Sequence, residues 1–317
     1  MTERSMDVAR SRAVGDRLRD AEQAVWAHYG LVPAERRLHL SSPAMGLRVR
    51  EFGSGAPVLF VHGTVGPLAW APLIAALPDL RSIVIDRPGW APSDPVDFSA
   101  QGYRTVAAEL LRGVLDELGI ERTAVVGGSI GDVWALALAD RYPERVHQVV
   151  LLGGGPVVAD VPVPRFIRLL RSPLGAFVVR LPTRPARIRS ILRQNGHDAS
   201  LDDGRIPDVL IDWRTTIANE TVTMRHERAM VRTVVGRSGW RPALTFDDHE
   251  LARIERPTLI VFGSADVTGD VDLWRRVAGS MPRGALRVMD GAGHQPWFDD
   301  VHQVAALVRG WLAIDTS

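Results

Sequence analysis

The chain contains no cysteine and no lysine. The first absence excludes disulfides, thiolate metal ligands and thiol nucleophiles. The second makes all 38 basic residues arginine. This we read as a composition bias of the genome, not as a functional signal. Against 37 acidic residues they leave a formal net charge of +1, so no bulk field draws in nucleic acid. No apolar run approaches the ~18 residues of a membrane span, and the start of the chain, Met1 to Asp7, has no segment of signal-peptide type. There is no internal repeat and no low-complexity tract. These absences lead us to expect a cytoplasmic protein, monomer or dimer, acting on a small-molecule substrate. We expect no nucleic acid partner, no integral membrane segment, no metal and no cofactor.

What is present is a large apolar fraction, 46 % of 317 residues. That suits two domains, or one large α/β domain with an insertion. Val14, Leu18, Ala21, Val25 and Tyr29 recur at helical spacing, so a cover helix is expected from about residue 5 to 29. Leu38-His39-Leu40 and the alternating run Leu47 to Phe52 predict an antiparallel hairpin at a sheet edge. Pro57 to Val61 is a continuous apolar run, as expected of a strand buried on both faces, and Ser82 to Asp86, Thr123 to Val126 and Val146 to Leu152 read as further strands. Helical patterns separate them, including Leu68 to Leu77 and Tyr103 to Leu118. Repeated β-α steps imply a mostly parallel, doubly wound sheet of eight strands.

After Gly153-Gly154-Gly155-Pro156 the rhythm stops for about a hundred residues. Helices are expected at Pro164 to Arg171, Gly175 to Leu181 and Pro185 to Asn195, with one long helix from Pro207 to about Val235. The sheet pattern resumes at Pro257 to Gly263 and again at Ala285 to Met289, and a closing helix follows. The division expected is an N-terminal helical extension over 1–37, a core over 38–155 and 255–317, and a helical lid over 156–254.

The stretch with most chemistry in it is Val125-Val126-Gly127-Gly128-Ser129-Ile130-Gly131-Asp132. A strand pattern enters it and an alanine- and leucine-rich helix pattern leaves it. A serine on so sharp a turn is held in a strained conformation with its Oγ exposed above the sheet. The glycines remove Cβ atoms where the helix doubles back on the strand, and the helix N-terminus presents free N–H groups to negative charge beside the serine.

Other motifs follow strands in the same way: His62-Gly63, Asp86-Arg87-Pro88-Gly89, Phe262-Gly263-Ser264-Ala265-Asp266 and Gly291-Ala292-Gly293-His294. Together with the Gly127-x-Ser129-x-Gly131 turn, the set resembles the α/β-hydrolases of the lid-bearing type. The resemblance covers about 38 to 155 and 256 to 314. It implies Ser129 as nucleophile, His294 as its base and Asp266 as the carboxylate that orients the imidazole. Asp270, Asp290 and Asp299 lie close by as rivals. The alternative acid position after the sixth strand is occupied by Gly153-Gly154-Gly155. The resemblance also implies an oxyanion hole from the backbone N–H groups of Ile130 and Thr64. His62, Val65, Trp213, Met230 and Trp297 are the expected substrate contacts.

The family often has glycine where this chain has Asp132, for which a helix-capping role is expected. Residues 161 to 197 hold eight Arg and no Asp or Glu, read as a solvated surface.

The expected activity is hydrolysis of an ester, thioester or lactone of a small apolar substrate through an acyl-enzyme. The alternative is a lyase, cyclase or carbon–carbon-bond hydrolase that uses the same groups. A non-catalytic ligand-binding protein is the third reading.

Overall fold

The computed structural model describes residues 3–99 and 102–313, with side chains from Val14 onward. Eight strands form one sheet: β1 (Ala34–Ser41), β2 (Ala44–Phe52), β3 (Pro57–Val61), β4 (Arg81–Ile85), β5 (Thr123–Gly128), β6 (Val146–Leu152), β7 (Thr258–Gly263) and β8 (Gly284–Met289). Their spatial order is β1-β2-β4-β3-β5-β6-β7-β8. β2 runs antiparallel to both β1 and β4, and the other pairs are parallel. β1 begins at Ala34, four residues before the expected Leu38, because Ala34 to Arg37 pair with Glu51 to Arg48.

The two faces of the sheet carry two cores, separated by the period-2 alternation of each strand. Leu59, Val61, Val125, Val149, Leu151 and Ile260 pack on one side beneath the helices Tyr103–Glu117, Ile130–Arg141 and Val271–Gly279. Val58, Phe60, Val126, Val150, Leu152 and Val261 pack on the other. There Leu18, Val25 and Trp26 of the N-terminal helix, Glu3–His28, join the helix Val301–Leu312.

The N-terminal helix also brings Glu22 into a buried ion network. Glu22 and Asp86 share Arg48 and Arg50 of β2, at 2.6–2.9 Å. The helical periodicity does not show this, because Glu22 reads as one more polar position beside the apolar stripe.

Between β6 and β7 lies a helical insertion. Its expected long helix from Pro207 to Val235 is two helices, Asp208–Glu220 and Thr223–Val234. The break has a local cause. The Thr221 hydroxyl donates to the Ile217 carbonyl at 2.6 Å and accepts from the Thr223 N–H at 3.2 Å. A side chain bonded in this way competes with the helical ladder, and Thr221 is extended at φ −125°, ψ 172°.

The register aligns the carboxyl ends of the central strands. Val61 stands opposite Gly127, Gly128 opposite Leu152, and Gly263 opposite Met289. The loops that follow β3, β5, β6, β7 and β8 therefore leave the same edge of the sheet.

Candidate active site

Ser129 follows β5 and precedes the helix Ile130–Arg141. Its backbone sits at φ 57°, ψ −123°, and it is the only non-glycine residue with positive φ among those described. Such a conformation costs about 1–3 kcal/mol and persists only where the surroundings impose it. The imposing contacts are close. A Cβ on Gly131 would lie 2.0 Å from the Val61 carbonyl oxygen, and one on Gly127 would lie 2.7 Å from the Asp132 backbone. The helix can double back over β3 and β5 only with glycine at both places.

The loop after β8 brings His294 to this serine. Its Nε2 lies 3.0 Å from Ser129 Oγ, and its Nδ1 lies 2.8 Å from Asp266 Oδ2. Asp266 is buried and also accepts from the N–H groups of Gly154 and Thr268, each at 2.9 Å. Burial alone pushes this carboxyl upward. The adjacent imidazole and the Thr268 bonds outweigh burial and hold it below the ordinary aspartate value. The rival carboxylates lie elsewhere. Asp270 caps the helix Val271–Gly279 by accepting from the Leu273 N–H at 2.8 Å, and Asp290 is exposed.

Asp132 does not cap the helix. Its side chain is fully buried and accepts from the Gly155 N–H at 3.0 Å, while Oδ1 has no partner. Burial, with the nearby charge of Asp266, pushes this carboxyl well above the ordinary value. The capping expectation is thereby corrected. The first turn points Asp132 across to the Gly153-Gly154-Gly155 loop instead of back to its own N–H groups. Asp266 and Asp132 thus hold adjacent amides of that loop.

Thr64 and Ile130 both line the cavity in front of Ser129. Ile130 is in the first helical turn, where N–H groups have no intrahelical acceptor. The loop of Thr64 is braced from behind. His62 is completely buried, with Nδ1 donating to the Gly63 carbonyl at 2.7 Å and Nε2 accepting from the Arg87 N–H at 3.0 Å. Burial, reinforced by the Arg87 charge, holds its imidazole well below the ordinary value. His62 is therefore a strut under the loop, not a wall of the cavity.

The cavity is narrow, about 40 Å³ in volume, and mostly apolar in its lining. The insertion closes it with Phe166, Ile167, Met230 and Trp240. A second chamber shares Thr64, Phe166 and Asn195 with the first and is walled by Val65, Arg187, Arg214 and Glu227. Of the five expected substrate contacts, Met230 faces the first cavity and Val65 the second. Trp297 is buried in packing, and Trp213, also buried, walls a separate apolar cavity together with Val65 and Arg214. Trp213 lies against Trp90 with ring centroids 6.4 Å apart, while Trp297 stacks on Trp70 at 4.4 Å and donates to the Ala69 carbonyl at 2.7 Å. Trp297 is taken up by the layer beneath the site, whereas Phe166 and Trp240 wall the cavity.

A sequence profile described as "Alpha/beta hydrolase family" matches residues 58–307. The chain belongs to the alpha/beta hydrolase family. This alpha/beta hydrolase is 30 % identical over 280 residues to the 2-hydroxy-6-oxononadienedioate/2-hydroxy-6-oxononatrienedioate hydrolase 2 of Pseudomonas putida, covering 84 % of this chain and 91 % of that one. Among solved structures it resembles a variant of a meta-cleavage product hydrolase, at TM-score 0.71 and 23 % identity over 87 % of this chain and 97 % of the other. It also resembles a naproxen esterase from Bacillus subtilis, at TM-score 0.74 and 19 % identity over 94 % and 98 %.

Several residues of this alpha/beta hydrolase that shape the site carry no local motif. His197, from the insertion, is buried against the histidine loop. Its Nδ1 pairs with Asp299 at 3.0 Å, and its Nε2 accepts from the Gln295 N–H at 3.0 Å. Asp299 in turn accepts from the Gly293 N–H at 2.8 Å. The Asn195 carbonyl accepts from the His294 N–H at 2.9 Å. Glu227 accepts from Trp90 Nε1 at 2.7 Å and from Arg87 at 3.2 Å, yet its Oε2 has no partner. Arg214 lies over Trp90, 5.2 Å from the ring centroid, and its Nη1 is buried without a partner. Burial lowers this guanidinium to about 10, and Glu227 only partly restores it. Contacts that span a hundred residues or more leave no trace in periodicity or spacing.

Proposed function

We propose that the chain hydrolyses a carbon–carbon bond next to a ketone in a small conjugated oxo acid. The P. putida relative is named for a substrate with hydroxy, oxo and two carboxylate groups. Such a molecule has no ester or amide, so its hydrolysis must cleave carbon from carbon. The observation that carries the reading to this chain is Arg214. A buried guanidinium with a free Nη1, in the chamber beside Thr64, suits an anionic substrate group better than a neutral alkyl chain.

In this reading His294 Nε2 takes the Ser129 proton as Oγ attacks the ketone carbon. The developing oxyanion faces the N–H groups of Thr64 and Ile130, where each donor is worth ~10²–10³ in rate. The carbon–carbon bond then breaks. The substrate reacts as its keto tautomer, the 2-hydroxyl proton having moved to the carbon beside the ketone, so the electron pair passes into the conjugated enolate, whose oxygen takes the proton from the imidazolium. Water, deprotonated by His294, attacks the acyl-Ser129 ester and releases the second acid. Asp266 keeps the imidazole in the required tautomer throughout. The insertion acts as a lid whose apolar wall keeps bulk water from the site.

Ester hydrolysis needs the same groups, and the likeness to the naproxen esterase is one of fold. The two readings are separated by comparing kcat/KM for a 2-hydroxy-6-oxo-dienoate, followed by loss of its conjugated absorbance, with that for p-nitrophenyl acyl esters. The expected result is a preference for the oxo acid of at least ~10²-fold, the scale of one charge-assisted contact. Turnover of esters with no cleavage of the oxo acid would overturn the reading.

A further inference from the structure

Eight large hydrophobic side chains are exposed among the described residues, and four of them, Leu169, Leu174, Phe177 and Leu181, fall within 13 residues of the insertion. Leu174 and Phe177 are 68 % and 62 % exposed, on the turn and short helix that form one tip. Solvent-exposed apolar groups concentrated in this way mark an interaction surface.

The charge of the segments that carry the tip has one sign. Residues 161–197 hold eight Arg and no acid, and residues 223–241 add five more Arg with Glu227 as the sole carboxylate, which is buried. Arg189 and Arg193 are neutralised by Asp208, Asp198 and Asp202. Arg165, Arg168, Arg180 and Arg184, close to the exposed apolar residues, are exposed and form no ion pair among the described residues. These four arginines thus have no fixed acidic partner among the described residues, while Glu220, beside Thr183 through Asn219, is taken up by Arg17.

We propose that this face docks on a bilayer surface rich in anionic phospholipid. Two signals combine there, as reversible membrane binding requires. An apolar wedge enters the boundary between headgroups and acyl chains, and a ring of arginines meets the negative surface. Long arginine side chains reach the headgroups while their stems cover apolar surface. An acidic protein partner is the weaker match. The apolar residues project from a turn-rich tip broken by Pro173 and Pro182 and offer no continuous stripe or groove to a second chain. Attachment would be peripheral, since no helix among the described residues is long and apolar enough to cross a membrane. Leu169 also walls the second chamber, so docking would set that chamber against the lipid.

The test is sedimentation of the full chain with vesicles of phosphatidylcholine alone or mixed equally with phosphatidylglycerol, at low and high salt. Binding to the mixed vesicles at low salt is expected, weakened at least ~tenfold by high salt or by omission of the anionic lipid. L174S/F177S should reduce binding at least ~tenfold with an unchanged thermal melt, and R165Q/R168Q/R184Q should flatten the salt dependence. The proposal is overturned if the chain stays in the supernatant with mixed vesicles, or if L174S/F177S binds like the parent. It is also overturned if light scattering shows a dimer that L174S/F177S dissolves, since the tip then meets a second copy. Soluble polyglutamate that holds the chain as tightly as vesicles do, with L174S/F177S unaffected, would assign the face to an acidic protein.

Discussion

The loops at the carboxyl edge of the sheet and the walls of the helical insertion treat buried polar groups in opposite ways. At the edge the reacting groups satisfy one another, although Asp132 Oδ1 beside them has no partner. Ser129, His294 and Asp266 form an unbroken line of hydrogen bonds that ends on the Gly154 and Thr268 amides. Around the second chamber they do not, since Arg214 Nη1 and Glu227 Oε2 are both buried without partners. An unmet buried charge or donor costs free energy unless a ligand completes it. The comparison teaches that strand ends fix the reacting groups in advance, while the insertion reserves polar groups for whatever enters.

The largest effect expected breaks the edge. Asp266→Asn should fold normally and lose ~10⁴ in kcat, since an amide favours the wrong imidazole tautomer. Asp270→Asn and Asp290→Asn should stay within about tenfold of the parent, because neither reaches His294. If Asp290→Asn abolishes turnover while Asp266→Asn keeps it, the proposed acid is misassigned. Kinetics beside thermal melts decide this.

On the insertion side, Arg214→Gln should lower kcat/KM for an anionic oxo acid by about 10–10²-fold, the worth of one hydrogen bond to a charged group. Neutral p-nitrophenyl esters should change by no more than about threefold, because they leave the guanidinium unused. Equal losses on both substrates would remove the distinction between fixed chemistry and reserved recognition.

The two regions meet at His197. His197→Ala removes the bonds to Asp299 and Gln295 and should cost about 1–3 kcal/mol of stability, read as a lower melting temperature. The catalytic loss should be smaller than for Asp266→Asn, because Asp299 still holds the Gly293 amide.

The smallest effect concerns Asp132, the one carboxyl at the edge with an unpartnered oxygen. Its carboxyl in the folded chain holds a proton to higher pH than in the unfolded chain. Folding therefore takes up a proton, and stability falls as pH rises from the ordinary aspartate value toward the folded one. Asp132→Asn keeps an acceptor for the Gly155 N–H but cannot ionise. Its melting temperature relative to the parent should rise with pH across that window. A parallel pH dependence in the two proteins would show that Asp132 is already ionised when folded.

The features legible in the chain are local. Apolar runs placed seven of the strands within a few residues, and Gly127-x-Ser129-x-Gly131 announced the turn at Ser129. The resemblance to the α/β-hydrolases named Asp266 and His294, which the structure brings within hydrogen-bonding distance of each other and, through the imidazole, of the serine. The aromatic residues near the site were harder to assign. Trp297 and His62 have the composition of a ligand wall but are absorbed by partners beneath them, while Trp213 lies against Trp90 and also walls an apolar cavity.

By itself, then, the sequence determined the sheet, the strained serine and the loops that carry the reacting groups. Glycine spacing, apolar runs and turn chemistry act within a few residues, so they can be read there. Only the tertiary structure decided that Asp132 turns to Gly155, that Glu227 reaches back 137 residues to Trp90, and that Arg214 is left unpaired. Burial and pairing depend on which elements meet in space, and the insertion meets the sheet edge through side chains with no fixed spacing along the chain.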